Sequence, residues 1–323
     1  TTEESCASPW ATAIGGGGDP LTTVLLTLCV VLLYMKLADW NVFHQILLLL
    51  EFAWPVPKMD VIMTKAELED DGVDAEPSKT TELKDPDRPG FIQCYDPSTK
   101  QRLGEVVAMT PKDVHEACVR AAEAQKEWAT TTFAQRRRVL RTIQKYIVAH
   151  VEDICRVACR DSGKTKVDAL LGEVLTTCEK IRTINANGEL WLRPSYRSTG
   201  PVMVHKTAYV EYVPLGVLAA IAPWNYPFHN LMNHIISGIF AGNAVVGKVS
   251  EHTSWSAEYF SRIVQKALMV HGHNPELCQT ITGFGDAGAA LVADPLVSKI
   301  IFTGSPGVGA KVMAGGGPLF KTV

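Results

Sequence analysis

Apolar and polar positions alternate in three different ways along this chain, and each predicts a different kind of element. Residues 21–37 are almost wholly apolar, broken only by threonines and by Lys36, and a second run over 46–54 carries Glu51. A helical period follows. Val114, Ala117, Cys118, Ala121, Ala124 and Trp128 form one stripe, opened by Thr110 as a cap and Pro111 at the first helical position. Leu140, Ile143, Ile147, Ile154 and Val157 predict one longer amphipathic helix over 134–160, and another covers 167–191. From residue 217 the period changes again. Residues 217–222, 244–249, 277–282 and 298–302 are short apolar runs, as parallel strands covered on both faces are, and helical stretches separate them. The fold class read from this rhythm is α/β: a Rossmann-like, doubly wound parallel sheet, preceded by helices and by a β-hairpin over 91–95 and 103–108.

The same pattern divides the chain. Residues 1–20 read as a flexible tail, since the unbroken glycines 15–18 hold no structure. Residues 21–57 read as a hydrophobic membrane anchor, crossing once if Lys36 snorkels to the headgroups, with a buried pair of core helices as the alternative. Glu3, Glu4 and Asp19 precede this stretch while Lys36 and Lys58 follow it, which places the bulk of the chain on the cytosolic side. Residues 58–89, acidic and punctuated by Pro77, Pro86 and Pro89, read as a linker. Residues 90–200 form a mainly helical part. Residues 201–213 alternate branched and polar side chains, as exposed strands do, and 214–323 form the sheet.

Composition narrows the partners. The chain has 323 residues, 46% apolar and 20% charged, enough for two cored domains. A formal charge of −3 gives no basic surface for nucleic acid. Eight cysteines (Cys6, Cys29, Cys94, Cys118, Cys155, Cys159, Cys178 and Cys278) show no Cys-x-x-Cys pair and no metal-ligand spacing, and read as reduced thiols.

Candidate chemistry collects where the predicted strands stop. Pro223 ends the strand 217–222 and leaves Trp224 and Asn225 beyond its carboxyl end, where open parallel sheets bind ligands. An uncharged amide there can donate to a developing oxyanion without adding a titratable group. The second strand ends in Lys248, Ser250 and Glu251; Lys248 and Glu251 could bond ribose hydroxyls or simply form an exposed ion pair. The fourth ends in Gly304-Ser305-Pro306-Gly307-Val308-Gly309, a helix start whose free amides favour an anion. Ser162-Gly163-Lys164-Thr165 is no P-loop, because position 158 is alanine and the approach is helical. It reads as a helix stopped by Gly163, with Lys164 on the terminal carbonyls. The arginines 136–138 read as a solvated helix face.

Taken together, Pro223-Trp224-Asn225-Tyr226-Pro227-Phe228, Gly242-Asn243 with Lys248-x-Ser250-Glu251, Thr282-Gly283-Phe284-Gly285 and Phe302-Thr303-Gly304-Ser305 resemble the aldehyde dehydrogenase superfamily in order and spacing. The hydrophobic N-terminus and the Tyr-Pro-Phe-His-Asn and Gly-Ser-Pro-Gly-Val-Gly variants are similar to its membrane-anchored plant and fungal members. The resemblance implies oxidation of an aldehyde, possible lipid-derived substrates, a homo-oligomer and NAD as cofactor, with NADP as the alternative. It implies Asn225 as oxyanion donor; Trp224, Lys248, Ser250 and Glu251 on the adenosine side, with Glu251 favouring NAD; Gly283 under the adenine; and Gly304, Ser305, Val308 and Gly309 at the pyrophosphate. His234 stands where many relatives have lysine, and Val249 where many have proline, so neither takes a role. The family's nucleophilic cysteine and general-base glutamate lie on segments after the fifth strand begins. None of the eight cysteines matches that context, so the expectation is an N-terminal portion, inactive alone; the alternative is a non-catalytic dinucleotide-binding protein.

Overall fold

The computed structural model describes residues 20–37, 40–69, 77–319 and 321–323, and two compact units divide the chain at Pro55. The expected tail, apart from Pro20, lies outside the described residues. The first unit contains α1 (Pro20–Leu37) and α2 (Trp40–Ala53), which touch each other. The single-pass anchor expected here is not supported: among the described residues no helix is long and apolar enough to cross a membrane. At 1.5 Å per residue, the 14 residues of α2 reach only about 21 Å, against a hydrocarbon core of about 30 Å. The cytosolic orientation inferred from that anchor loses its basis with it.

The second unit opens with α3 (Lys65–Leu68), a single turn inside the stretch expected as a linker. Glu67 on it is buried and ion-paired with Arg262, and Arg160 donates to the carbonyls of Ala66 and Glu69. The hairpin follows as β1 (Phe91–Tyr95) and β2 (Arg102–Val107), antiparallel as the pattern predicts. Next comes α4 (Pro111–Trp128). Thr110 and Asp113 cap it reciprocally, the Asp113 carboxylate accepting from the Thr110 N–H at 2.8 Å.

The predicted long helix is two. α5 (Phe133–Ala149) and α6 (Val151–Ser162) break at His150, whose backbone leaves the helical region at φ −118° and ψ 32°. Of the arginines 136–138, only Arg138 is exposed as expected. Arg136 is buried and gives hydrogen bonds to the carbonyls of Phe240 and Ala129 and to the Thr131 hydroxyl, while Arg137 pairs with Glu189. These fans of donors tie the helical layer together, which an apolar stripe cannot reveal. Gly163 ends α6 at φ 74°, as the sequence predicts.

Residues 166–191 form the turn α7 (Lys166–Asp168), a π-helical segment (Ala169–Leu175) and α8 (Thr176–Trp191) rather than one regular helix. Two short strands, β3 (Ser195–Arg197) and β4 (Ala208–Val210), pair antiparallel, so only the second half of 201–213 holds a strand, and Pro201–Met203 is a 3-10 turn.

The sheet contains β5 (Val217–Ile221), β6 (Ala244–Lys248), β7 (Cys278–Ile281) and β8 (Val297–Phe302), in the order β7-β6-β5-β8 and all parallel. Connecting them are α9 (Pro227–Phe240), α10 (Ser254–Val270) and α11 (Gly285–Ala293), with α12 (Pro306–Gly316) after β8. The steps β5-α9-β6 and β6-α10-β7 move one way across the sheet. The step β7-α11-β8 returns to the other side of β5. Right-handed crossovers then put α9 and α10 on one face and α11 on the other, where α11 meets α4. Every residue of β6 is buried, which accounts for its lack of polar alternation. Beyond β8, Thr322 forms a parallel bridge with Lys299.

Candidate active site

Register places all four strand ends on one edge: Ile221 lies opposite both Lys248 and Phe302, and Lys248 opposite Ile281. Successive strands are added toward β7 from one side of β5 and the chain then returns to place β8 on the other, so the loops 222–226 and 303–305 flank a topological switch point. Asn225 sits in the first loop with its side chain exposed. Its Oδ1 accepts from Asn230 Nδ2 at 3.2 Å, which leaves Nδ2 facing outward as a donor.

The backbone of Asn225 is held from below. Lys164 Nζ donates to the Asn225 carbonyl at 2.7 Å and to Glu173 Oε1 at 2.5 Å, and lies 3.9 Å from the Tyr226 ring centroid. Glu173 Oε2 accepts the His229 N–H at 2.8 Å, and Tyr226 donates its hydroxyl to Asp168 at 2.9 Å. The Lys164 and Glu173 side chains are 7% and 0% exposed. Burial pushes the Glu173 carboxyl above its usual range, opposed by Lys164 and by the amides of His229 and Phe228. Gly172 makes this packing possible, since a Cβ there would stand 2.2 Å from Tyr226 Cε1.

Sequence reasoning missed both Lys164 and Glu173. Lys164 was expected on the terminal carbonyls of α6; its amine instead crosses to Glu173 and Asn225. The available signal was Glu173 itself, the one acid in the apolar run 169–175. A charge in such a run is either exposed or paired, and this one is paired.

The expected cofactor residues occupy the same edge. Lys248 is buried and its Nζ lies 3.3 Å from Glu251 Oε2. Burial works to raise the Glu251 carboxyl, but its own amide and the Lys248 charge outweigh that and hold it below the usual range. Ser250 accepts from the His252 N–H at 3.3 Å and caps the short turn Glu251–Thr253. Ser305 is the N-cap residue of α12, yet its hydroxyl makes no capping bond, and the first turn of α12 contains no acid. A hydroxyl and unpaired amides at that end suit a phosphate. Gly304 and Gly309 flank the Phe302 ring, and Val308 is exposed beside them. Trp224 is 53% exposed and borders a cleft of about 500 Å³ with Tyr95, Lys100, Asp161 and His252. Gly283 lies at the end of β7, three strands from β8. A Cβ there would stand 2.6 Å from the Ala287 Cβ, at φ +151°, so packing alone requires glycine.

Two buried titratable groups lie close by. His234 is 5% exposed, its Nε2 3.5 Å from the Thr303 hydroxyl, and burial pushes it down to about 4, so the ring is neutral at pH 7. Asp161 accepts the Ser256 N–H at 2.8 Å, while its Oδ1 has no partner among the described residues. Burial pushes Asp161 up to about 7 from 3.8, against the Ser256 bonds. Between those values the native state holds a proton that the unfolded chain has released, so stability falls as pH rises through this window. Asp161→Asn is expected to flatten that fall, by up to about 1.4 kcal/mol per pH unit, in urea titrations from pH 4 to 8.

Burial raises the thiol pKa of Cys94, Cys118, Cys155, Cys159, Cys178 and Cys278, so none of these is a thiolate at neutral pH. Cys6 lies outside the described residues.

Comparison with known proteins gives the same answer as the strand-end loops. The aldehyde dehydrogenase family profile matches residues 84–323. The aldehyde dehydrogenase-like protein C21C3 of Schizosaccharomyces pombe is 43% identical over 69% of this chain and 42% of its own length. Chloroplastic betaine aldehyde dehydrogenase of Beta vulgaris is 31% identical over 75% of this chain and 49% of its own. The crystal structure of an aldehyde dehydrogenase from Brucella melitensis biovar abortus 2308 superposes with a TM-score of 0.67 at 26% identity, covering 74% of this chain and 48% of that one. The chain thus spans less than half the length of these curated relatives. With the match extending over the helical layer, the sheet and all four of its strand-end loops, the chain belongs to the aldehyde dehydrogenase family.

Proposed function

We propose that this chain carries the dinucleotide-binding and oxyanion-stabilising residues for NAD-dependent oxidation of an aldehyde to a carboxylic acid. The observation that carries the reading is the common edge, where the outward amide of Asn225 and the uncapped hydroxyl of Ser305 border one switch point. Glu251 and Lys248 would receive the ribose hydroxyls, Ser305 and the first amides of α12 the pyrophosphate, and Trp224 the outer wall. The chemistry such a cofactor supplies when bound is acceptance of a hydride. Asn225 Nδ2 would donate to the oxygen that gains charge when the aldehyde carbon becomes tetrahedral.

The Glu251 carboxylate supports NAD over NADP, because a 2′-phosphate beside it meets a like charge. The protein is expected to bind NADH, read by energy transfer from tryptophan, about 10-fold more tightly than NADPH, equivalent to about 1.4 kcal/mol. Glu251→Gln should narrow that gap. Equal affinity for the two dinucleotides, or binding of neither, would count against the assignment.

The exposed pair Tyr196 and Tyr209, 5.9 Å apart across β3 and β4, with Val202 and Val204 beyond them, supports assembly into a homo-oligomer through this ribbon. Lipid-derived substrates were expected from the anchor, and without its support the choice of aldehyde rests on the site.

A further inference from the structure

Residues 59–69 fall in the stretch expected as a linker, yet they are docked. Met59, Val61 and Met63 pack on the core while Asp60, Ile62 and Thr64 are exposed, the period of two that extended chain produces. The single turn α3 then brings Glu67 among arginines. Glu67 is 2% exposed, and both its carboxylate oxygens accept from Arg262 Nη2 at 2.6 Å, with Oε2 also taking the Thr64 N–H at 2.7 Å. Its carbonyl accepts from Arg156 Nε at 3.2 Å, and the Ile62 carbonyl from Arg262 Nε at 3.1 Å. A solvated linker needs no such partners.

Arg160 joins this strap to the candidate active site. Its Nη1 donates to the carbonyls of Ala66 at 2.6 Å and Glu69 at 2.5 Å, and its guanidinium lies 5.4 Å from the Trp255 ring centroid. The next residue, Asp161, accepts the Ser256 N–H, so the last turn of α6 is gripped by both the strap and the start of α10. Gly163 then ends the helix in the left-handed region, and Lys164 donates to the Asn225 carbonyl. The strap precedes residue 84, where the family match begins. It is thus an addition to the matched region.

We infer that residues 59–69 are a positioning strap for the reaction: by fixing the last turn of α6 through Arg160, the strap sets where Lys164 holds the loop that presents Asn225. The inference rests on the reading of Asn225 as the oxyanion donor. A group that acts in the transition state loses rate steeply when displaced, about 10²-fold for about 1 Å. A loosened end of α6 therefore lowers kcat while leaving dinucleotide binding in place. Glu67 and Arg160 are positioning residues, acting through Lys164. A strap that only added stability would change unfolding and leave the kcat of the folded enzyme alone.

The test uses the full-length protein with Glu67→Ala and Arg160→Met, and with Glu67→Gln and Arg160→Lys as variants that keep a hydrogen-bonding side chain at each position. In the first two, kcat should fall about 10-fold with NADH affinity within about twofold of wild type, and the second two should recover part of the loss. Amide hydrogen exchange, which needs no turnover, should quicken about 10-fold at residues 163–165 in the first two, while the strands β5 and β6 keep their wild-type rates. Unchanged exchange at 163–165 overturns the strap's role. So does a fall in NADH affinity as large as the fall in kcat, which marks general damage. Faster exchange with wild-type kcat overturns the strap's part in the reaction if Asn225→Ala still collapses kcat. If Asn225→Ala also keeps wild-type kcat, the reading of Asn225 is what fails.

Discussion

Asn225→Ala is expected to lower kcat for aldehyde oxidation about 10²–10³-fold, the usual cost of removing one oxyanion donor. The structure separates this effect from damage to the fold. What anchors position 225 is its carbonyl, which accepts from Lys164 and is retained by alanine. The carboxamide itself is exposed, and its one hydrogen bond among the described residues is to Asn230 across 3.2 Å. Thermal midpoint and NADH affinity should therefore stay close to wild type while kcat collapses. A loss of stability matching the loss of rate, or a rate within a few-fold of wild type, would remove Asn225 from the role. Asn225→Asp is a sharper version, since a carboxylate placed there repels the same oxyanion.

The second large effect is on stability. Glu173→Ala is expected to cost about 3–5 kcal/mol in urea unfolding, because it strands the Lys164 ammonium where almost no water reaches. Replacing both partners by apolar groups, Lys164→Met with Glu173→Leu, should recover most of that loss, as buried ion pairs generally contribute little beyond satisfying each other. The recovered fold should still be slow. With no amine on the Asn225 carbonyl and no carboxylate on the His229 amide, the loop loses the two bonds that fix its tip. A double variant with wild-type kcat would reduce the pair to a structural filler.

Much of this architecture is visible in residue order because it depends on local rules. Strands β5 to β8 fall within a residue or two of the apolar runs, Thr110-Pro111 opens α4, and Gly163 closes α6. The strand-end positions follow from the fold class, since in a parallel sheet every residue after a strand meets the others at one edge. What escapes is whatever depends on a distant partner. Arg136 looks like any surface arginine until the carbonyls of Phe240 and Ala129 converge on it. The break at His150 leaves the apolar period on both sides unchanged, so periodicity reads straight through it. The apolar run 21–37 suggests a membrane, and the structure does not support it: among the described residues no helix is long and apolar enough to cross one. Lys164 is the clearest case, for its neighbours in sequence suggest a cap and its neighbours in space are a carboxylate and the loop beneath the candidate chemistry.

The π-helical segment Ala169–Leu175 has a consequence for how such a site changes over time. A π turn amounts to one residue inserted into an α-helix, and one residue is about 100° of rotation. Before it, the helix looks toward Tyr226 through Asp168; after it, the helix looks toward α9 through Thr177. Glu173, inside the π turn, reaches both ways, to Lys164 and to the His229 amide. An indel in this stretch would rotate one side out of register and cost Glu173 one of those partners, so insertions and deletions here disturb the loop that bears Asn225.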